Sequence, residues 1–141
     1  MIQFVDYEPA HLLELKLQTP QAYFNKLITP EYARSLNNRM AWTGMAGNRI
    51  VGCAGIVEVW SERALVWALM AEESGQHMLA ITRYVRRVLD LFAFRRVEAW
   101  VDPNFAPAVR WAEMLGFERE GYMRAFTPTG DDQLLYAQVR R

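Results

Sequence analysis

Glu58 stands in an otherwise apolar run, Gly55-Ile56-Val57-Glu58-Val59-Trp60. Burial there would raise its pKa toward the range of a general base that takes a proton from an amine. Strand alternation with Val57 and Val59 allows the other placement, with Glu58 facing solvent. Glu98 and Asp102 are poorer base candidates, and Asp102 in Asp102-Pro103-Asn104 fits a turn better. Cys53 lies between Gly52 and Ala54 and reads as a small buried apolar residue rather than a nucleophile. His11 and His77 are far apart and the chain has one cysteine, so no metal site is expected. The run Glu72-Glu73-Ser74-Gly75-Gln76-His77-Met78 leads into a long helical pattern. Glu72 and Glu73 would complement the positive end of that helix.

The balance of the chain narrows the function classes. Among 141 residues, 16 Lys and Arg offset 16 Asp and Glu. A neutral chain is not built as a general phosphate-backbone binder, although Arg83, Arg86 and Arg87 form a local basic group. Apolar residues at 52% exclude a disordered chain and support a buried core. A single cysteine forms no internal disulfide. The N-terminus lacks the layout of a signal peptide, and no stretch approaches a membrane span, so the cytoplasm is the expected location. Partners are expected to include neither nucleic acid nor membrane.

The elements that must position these residues follow from pattern. Ile2 to Tyr7 reads as a strand stopped by Pro9, and Ala10 to Leu17 as a short helix. Thr19-Pro20 has the form of a helix cap and first turn, and Thr29-Pro30 repeats it, which divides Pro20 to Asn38 into two short helices. Met40 to Ala46 and Arg49 to Trp60 are strands joined by a Gly47-Asn48 turn. Ala64 to Met70 is an almost wholly apolar strand, buried on both faces. Ser74 to about Phe92 is the longest helix, with Met78, Ile81, Tyr84, Val85, Val88, Leu89 and Phe92 along one stripe. Arg95 to Val101 is a strand, parallel to Ala64 to Met70 across that helix. Pro107 to Leu115 is a helix ended by Gly116, and Glu118 to Phe126 and Gln133 to Arg140 are the last strands. Trp42, Trp60 and Trp67 fall on adjacent strands and are expected to cluster as core, acceptor pocket or dimer patch. The order predicts one α+β domain, residues 1–141, with about four helices on a mixed, mainly antiparallel sheet of six to seven strands.

The segment Asn104-Phe-Ala-Pro-Ala-Val-Arg-Trp-Ala-Glu-Met-Leu-Gly-Phe-Glu-Arg-Glu-Gly, placed in this element order, resembles the GNAT superfamily of acyl-CoA-dependent N-acetyltransferases. Ala108, Leu115, Gly116, Phe117 and Gly121 fall at its characteristic positions, and Gly130-Asp131 with Leu135-Tyr136 is similar to its last hairpin. The likeness spans nearly the whole chain in element order and is specific over the last forty or so residues. It is also similar to the smaller acetyltransferase-like proteins of some phages and bacteria.

The resemblance implies acetyl-CoA as co-substrate and an amine acceptor, on a small molecule or a protein. It implies that the fourth and fifth strands splay, with the pantetheine arm paired to the backbone of Leu69, Met70 and Ala71. Ser74, Gly75, Gln76, His77 and Met78 would then surround the pyrophosphate, and Asn104, Ala108 and Trp111 would contact the pantetheine. A strand N–H would polarise the thioester carbonyl while Glu58 serves as base. Many members carry a tyrosine acid where this chain has Ala112, so Tyr122 or Tyr136 would substitute. Only Gly75 clearly matches the usual phosphate loop, and Glu72 and Glu73 bring two negative charges beside it. These departures keep open an alternative: a GNAT-like protein without catalysis, a binding or structural component such as a phage accessory or virion-associated protein. A homodimer is compatible with either reading.

Overall fold

The structure, a computed structural model, describes all 141 residues. The chain forms an α+β fold with a seven-stranded, mostly antiparallel sheet, as the element order predicts. The strands are β1 (Ile2–Asp6), β2 (Ala41–Ala46), β3 (Arg49–Trp60), β4 (Arg63–Met70), β5 (Arg96–Val101), β6 (Glu118–Met123) and β7 (Gln133–Val139). Their order in the sheet is β1-β2-β3-β4-β5-β7-β6. The α-helices are α1 (Pro9–Glu14), α2 (Pro30–Ser35), α3 (Met78–Leu91) and α4 (Ala106–Met114), joined by 3-10 helices at Thr19–Lys26 and Glu72–His77. No helix is long and apolar enough to cross a membrane.

Local sequence chemistry sets most boundaries. Thr29 caps α2, its hydroxyl accepting from the Tyr32 N–H at 3.1 Å, and Pro30 occupies the first turn. Gly47 turns the β2–β3 hairpin at φ 63°, and Gly116 ends α4 at φ 94°, a conformation that L side chains avoid. Thr19 departs from its expected capping role. Its hydroxyl and N–H both point to the Glu72 carboxylate, and the segment after it winds as a 3-10 helix. The long helix likewise starts later than the pattern suggests, at Met78, because Glu72–His77 is 3-10.

The chain divides into two compact units, Met1–Val57 with Trp67–Val85, and Glu58–Val66 with Arg86–Arg141. The first has a core of Tyr7, Leu12, Leu15, Ala33, Leu36, Ala41, Cys53, Leu69 and Ala71. The Tyr7 hydroxyl ties this core to α2 by donating to the Ala33 carbonyl at 2.8 Å. Burial pushes the Tyr7 phenol up to about 12 and the Cys53 thiol up to about 11. Cys53 is thus the small buried residue expected, not an activated nucleophile. The expected tryptophan cluster does not form. Trp42 packs edge-on to Tyr84 and Trp67 edge-on to Tyr7, while Trp60 is 61% exposed beneath the Arg63 guanidinium.

In the second unit, β4 and β5 pair in parallel from Arg63↔Arg96 to Val66↔Ala99, and β5, β7 and β6 pair antiparallel. Glu98 is buried on this sheet and accepts hydrogen bonds from Arg63 and Arg96, while Arg96 also grips Glu120 at 2.7 Å. The Arg63 bond, joined by that from Arg96, holds the Glu98 carboxyl below the usual carboxylate range despite its burial. Glu98 is a fixed anion of the sheet and not a poised base.

Candidate functional site

The β4–β5 register ends at Val66↔Ala99, yet β4 runs on to Met70. Successive strand residues turn their N–H and C=O groups to alternate sides. The Ala71 N–H donates to the Val51 carbonyl at 2.8 Å, on the β3 side. Ala68 and Met70 are out of phase with it, and their polar groups meet the 3-10 segment after α1. The Gln21 carboxamide donates from Nε2 to the Ala68 carbonyl at 3.0 Å and accepts the Met70 N–H at 2.9 Å. The Gln18 N–H donates to the Met70 carbonyl at 2.8 Å, and the Gln18 side chain braces Gln21 Oε1 at 3.1 Å. One side-chain amide therefore bonds β4 as the peptide unit of a neighbouring strand would. Gly52 lets the backbone come close here, because a Cβ on it would lie 2.5 Å from Met70 Sδ and 3.2 Å from the Leu69 carbonyl.

Beyond β4, Glu72–His77 winds as a 3-10 helix, which directs each N–H to the carbonyl three residues back. The Ser74 N–H, for one, donates to the Ala71 carbonyl at 3.0 Å. Glu72 does not complement the helix end as its position suggests. Its Oε1 accepts from the Thr19 N–H at 2.8 Å and from the Thr19 hydroxyl at 3.0 Å, which holds its carboxyl below the usual range. Glu73 pairs with Arg49 at 3.0 Å, so its charge is partly neutralised. Ser74 is buried, whereas Gly75 and Gln76 are exposed and His77 and Met78 half-buried. A Cβ built on Gly75 meets nothing within 4 Å.

The remaining expected residues lie in the second unit. Glu58 is exposed near the end of β3, the solvent-facing of its two placements. Asn104 is exposed, its N–H held by Asp102 Oδ1 at 2.9 Å in the turn before α4. Ala108 and Trp111 are half-buried on α4, and Ala112 is buried. Tyr122 is exposed on β6 and donates its O–H to Asp132 at 2.7 Å, a bond that raises its pKa. Tyr136 is fully buried on β7, and its O–H reaches Glu113 at 2.8 Å; burial and that bond push its pKa upward.

Leu69, Met70 and Ala71 thus run directly into Ser74–Met78, as one strand-to-helix segment. Sequence reading missed Gln18 and Gln21, which lie about fifty residues away and carry no local signal, and read Thr19 only as a helix cap. An open groove of about 700 Å³ elsewhere in the first unit is lined by Gln3, Val5, Asp6, Glu8, His11, Met45 and Gly47. It contains none of the residues expected to bind a cofactor.

No protein-family model matches the sequence, and no curated protein matches it significantly. Solved structures do match. Ard1 from Thermoplasma volcanium superposes with a TM-score of 0.81 at 10% identity, over 99% of this chain and 98% of that one. The ribosomal-protein-S18-alanine N-acetyltransferase from Escherichia coli gives 0.73 at 16% identity, covering 99% and 94%. A GNAT-family acetyltransferase from Bacillus anthracis gives 0.70 at 18% identity, covering 98% and 94%. The fold is that of GNAT acetyltransferases along its whole length.

Proposed function

We propose that the chain is an acyl-CoA-dependent N-acetyltransferase that passes an acetyl group from acetyl-CoA directly to an amine. The observation that carries this reading is the end of β4. The strand outlasts its pairing with β5, and the Ala68 carbonyl, the Met70 N–H and the Met70 carbonyl face away from β3, bonded to Gln21 and Gln18 in place of a neighbouring strand. A ligand with secondary amides, as in a pantetheine arm, meets such an edge as an added strand does. In the adjoining loop the Glu73 charge is offset by Arg49, whereas Glu72 keeps its charge while it accepts from Thr19. Gly75 leaves space in the same loop.

In this reading the amine loses a proton, attacks the thioester carbonyl, and the thiolate leaves with a proton. Glu58, exposed, is the proposed base that meets the acceptor. Tyr122 is the proposed acid, its O–H already ordered by Asp132. Small-molecule amines and protein amines both remain within the proposed acceptor class. The solved neighbours include a ribosomal-protein alanine acetyltransferase and a spermidine acetyltransferase chimera, so the fold hosts both.

The test is thermal shift and calorimetry with acetyl-CoA and with desulfo-CoA. A ligand that binds only the folded state raises Tm, by about 2.7 kcal/mol of added stability at a hundredfold excess over Kd. No shift at millimolar concentrations of either compound overturns the proposal. A second reading, a GNAT-like binding protein without catalysis, is favoured by Ala112 and by the 3-10 winding of Glu72–His77. Binding of acetyl-CoA without CoA release on a panel of amines and peptides would select it.

A further inference from the structure

We infer that Gln18–Gln21 is a strap latched across the edge of β4, and that Gln21 sets the affinity of the site by holding the place of a ligand amide. The inference rests on the acyl-CoA reading of β4. Its first ground is chemical mimicry. The Gln21 carboxamide presents one donor and one acceptor, spaced to bond Ala68 O and Met70 N–H at 3.0 and 2.9 Å. A secondary amide of a ligand paired with the same strand would need those same two groups, so both cannot be bound at once. Gln18 completes the occupation through its main chain on the Met70 carbonyl.

The second ground is how the strap is held. None of the residues of the 3-10 helix Thr19–Lys26 is buried, so hydrogen bonds rather than core packing fix its first turn. Those bonds end on the two parts of the proposed site: Gln18 and Gln21 on β4, and Thr19 on Glu72 of the following loop. Further along, Phe24 packs against the core of the first unit and lies 5.9 Å from Tyr32. That leaves an anchored end and a latched end in one short segment. Opening requires breaking the latch while Phe24 stays in place. Glu72, which looked out of place beside a phosphate, has a role as the catch for Thr19.

The consequence is quantitative. Each hydrogen bond of the latch shifts the closed-to-open ratio by about two- to tenfold. Apparent affinity falls by the fraction of molecules that are open. Gln21→Ala removes the two bonds to β4 and the brace from Gln18, and Gln21→Met removes them while keeping the bulk. Both are neutral changes, so neither alters attraction of an anionic ligand, as Glu72→Gln would. Calorimetric titration with desulfo-CoA should give a Kd at least about fivefold lower in both variants than in the wild-type chain. Hydrogen exchange should show the Met70 amide losing protection in both variants without ligand, and regaining it when desulfo-CoA is bound. An unchanged or higher Kd in the variants, with desulfo-CoA still binding the wild type, overturns the latch and leaves the function standing. A gain in Gln21→Ala that is absent in Gln21→Met assigns the effect to bulk and also overturns it. Failure of wild type and both variants to bind overturns the acyl-CoA reading, and the latch with it.

Discussion

Replacing Glu98 by alanine should destabilise the second unit more than any other single charge removal there. The Glu98 carboxylate is buried on the sheet and accepts from Arg63 Nε and Nη2 and from Arg96 Nε. Its loss leaves two guanidiniums side by side with only Glu120 to offset them. Breaking a buried ion pair costs about 3–5 kcal/mol, but the arginine side chains here are 29% and 30% exposed and regain some water, so about 2–3 kcal/mol is expected. Glu98→Gln, which keeps one acceptor and the shape, should cost about half as much. The pH dependence supplies a sharper check. The folded carboxyl titrates below its ordinary 4.5, so its stabilisation is fully present above that value. It is lost as pH falls through the lower folded pKa. Urea unfolding of wild type and Glu98→Ala at pH 7, 5, 4 and 3 should therefore show a gap that is constant at pH 7 and 5 and narrows below 4.5. A gap under about 0.5 kcal/mol at pH 7, the range of an exposed pair, would refute the argument. So would a gap of equal size at pH 7 and pH 3.

Three further outcomes are expected. Gly75→Glu should leave the Tm of the free chain unchanged, since a side chain there enters open space, yet a carboxylate about 6 Å from a phosphate costs about 2–3 kcal/mol at an effective dielectric of 20. Calorimetry should accordingly show acetyl-CoA affinity reduced about a hundredfold. The Cys53 thiol, pushed up to about 11 and buried, should stay unmodified by a disulfide reagent at pH 8 and react in step with urea unfolding. Gly52→Ala should destabilise by about 1–3 kcal/mol in urea, because the added methyl meets Met70 Sδ and the Leu69 carbonyl at once.

Elements governed by near neighbours were legible in the sequence. Thr29-Pro30, Gly47-Asn48 and Gly116 each act within a few residues, and each sits where it was placed. The parallel pairing of β4 with β5 also followed, because the helix between them leaves little choice of topology. What failed was decided at a distance. Thr19 has every local mark of a cap, but Glu72, fifty-three residues on, is the better acceptor for both its groups. The same bond explains Glu72, which a local reading assigns to a helix dipole. Glu58 shows the limit of alternation, since one apolar run suits both faces and only the fold selects solvent. The Gln21 bonds to β4 could not be read at all, for a glutamine between Pro20 and Ala22 looks like any surface residue.

The outer edge of β6 has a consequence for how copies of the chain meet. Glu118, Arg119 and Glu120 follow one another along it, and the pairing with β7 slips between Arg119 and Gly121. Consecutive charges and a kinked register make a poor template for a strand from another molecule. Growth of the sheet outward from that flank is discouraged at the level of the main chain, whatever side chains a second molecule brings. Concentrated solutions should resist fibrillar stacking along β6, and self-association is left to the β1 edge, a face of the sheet or a helix.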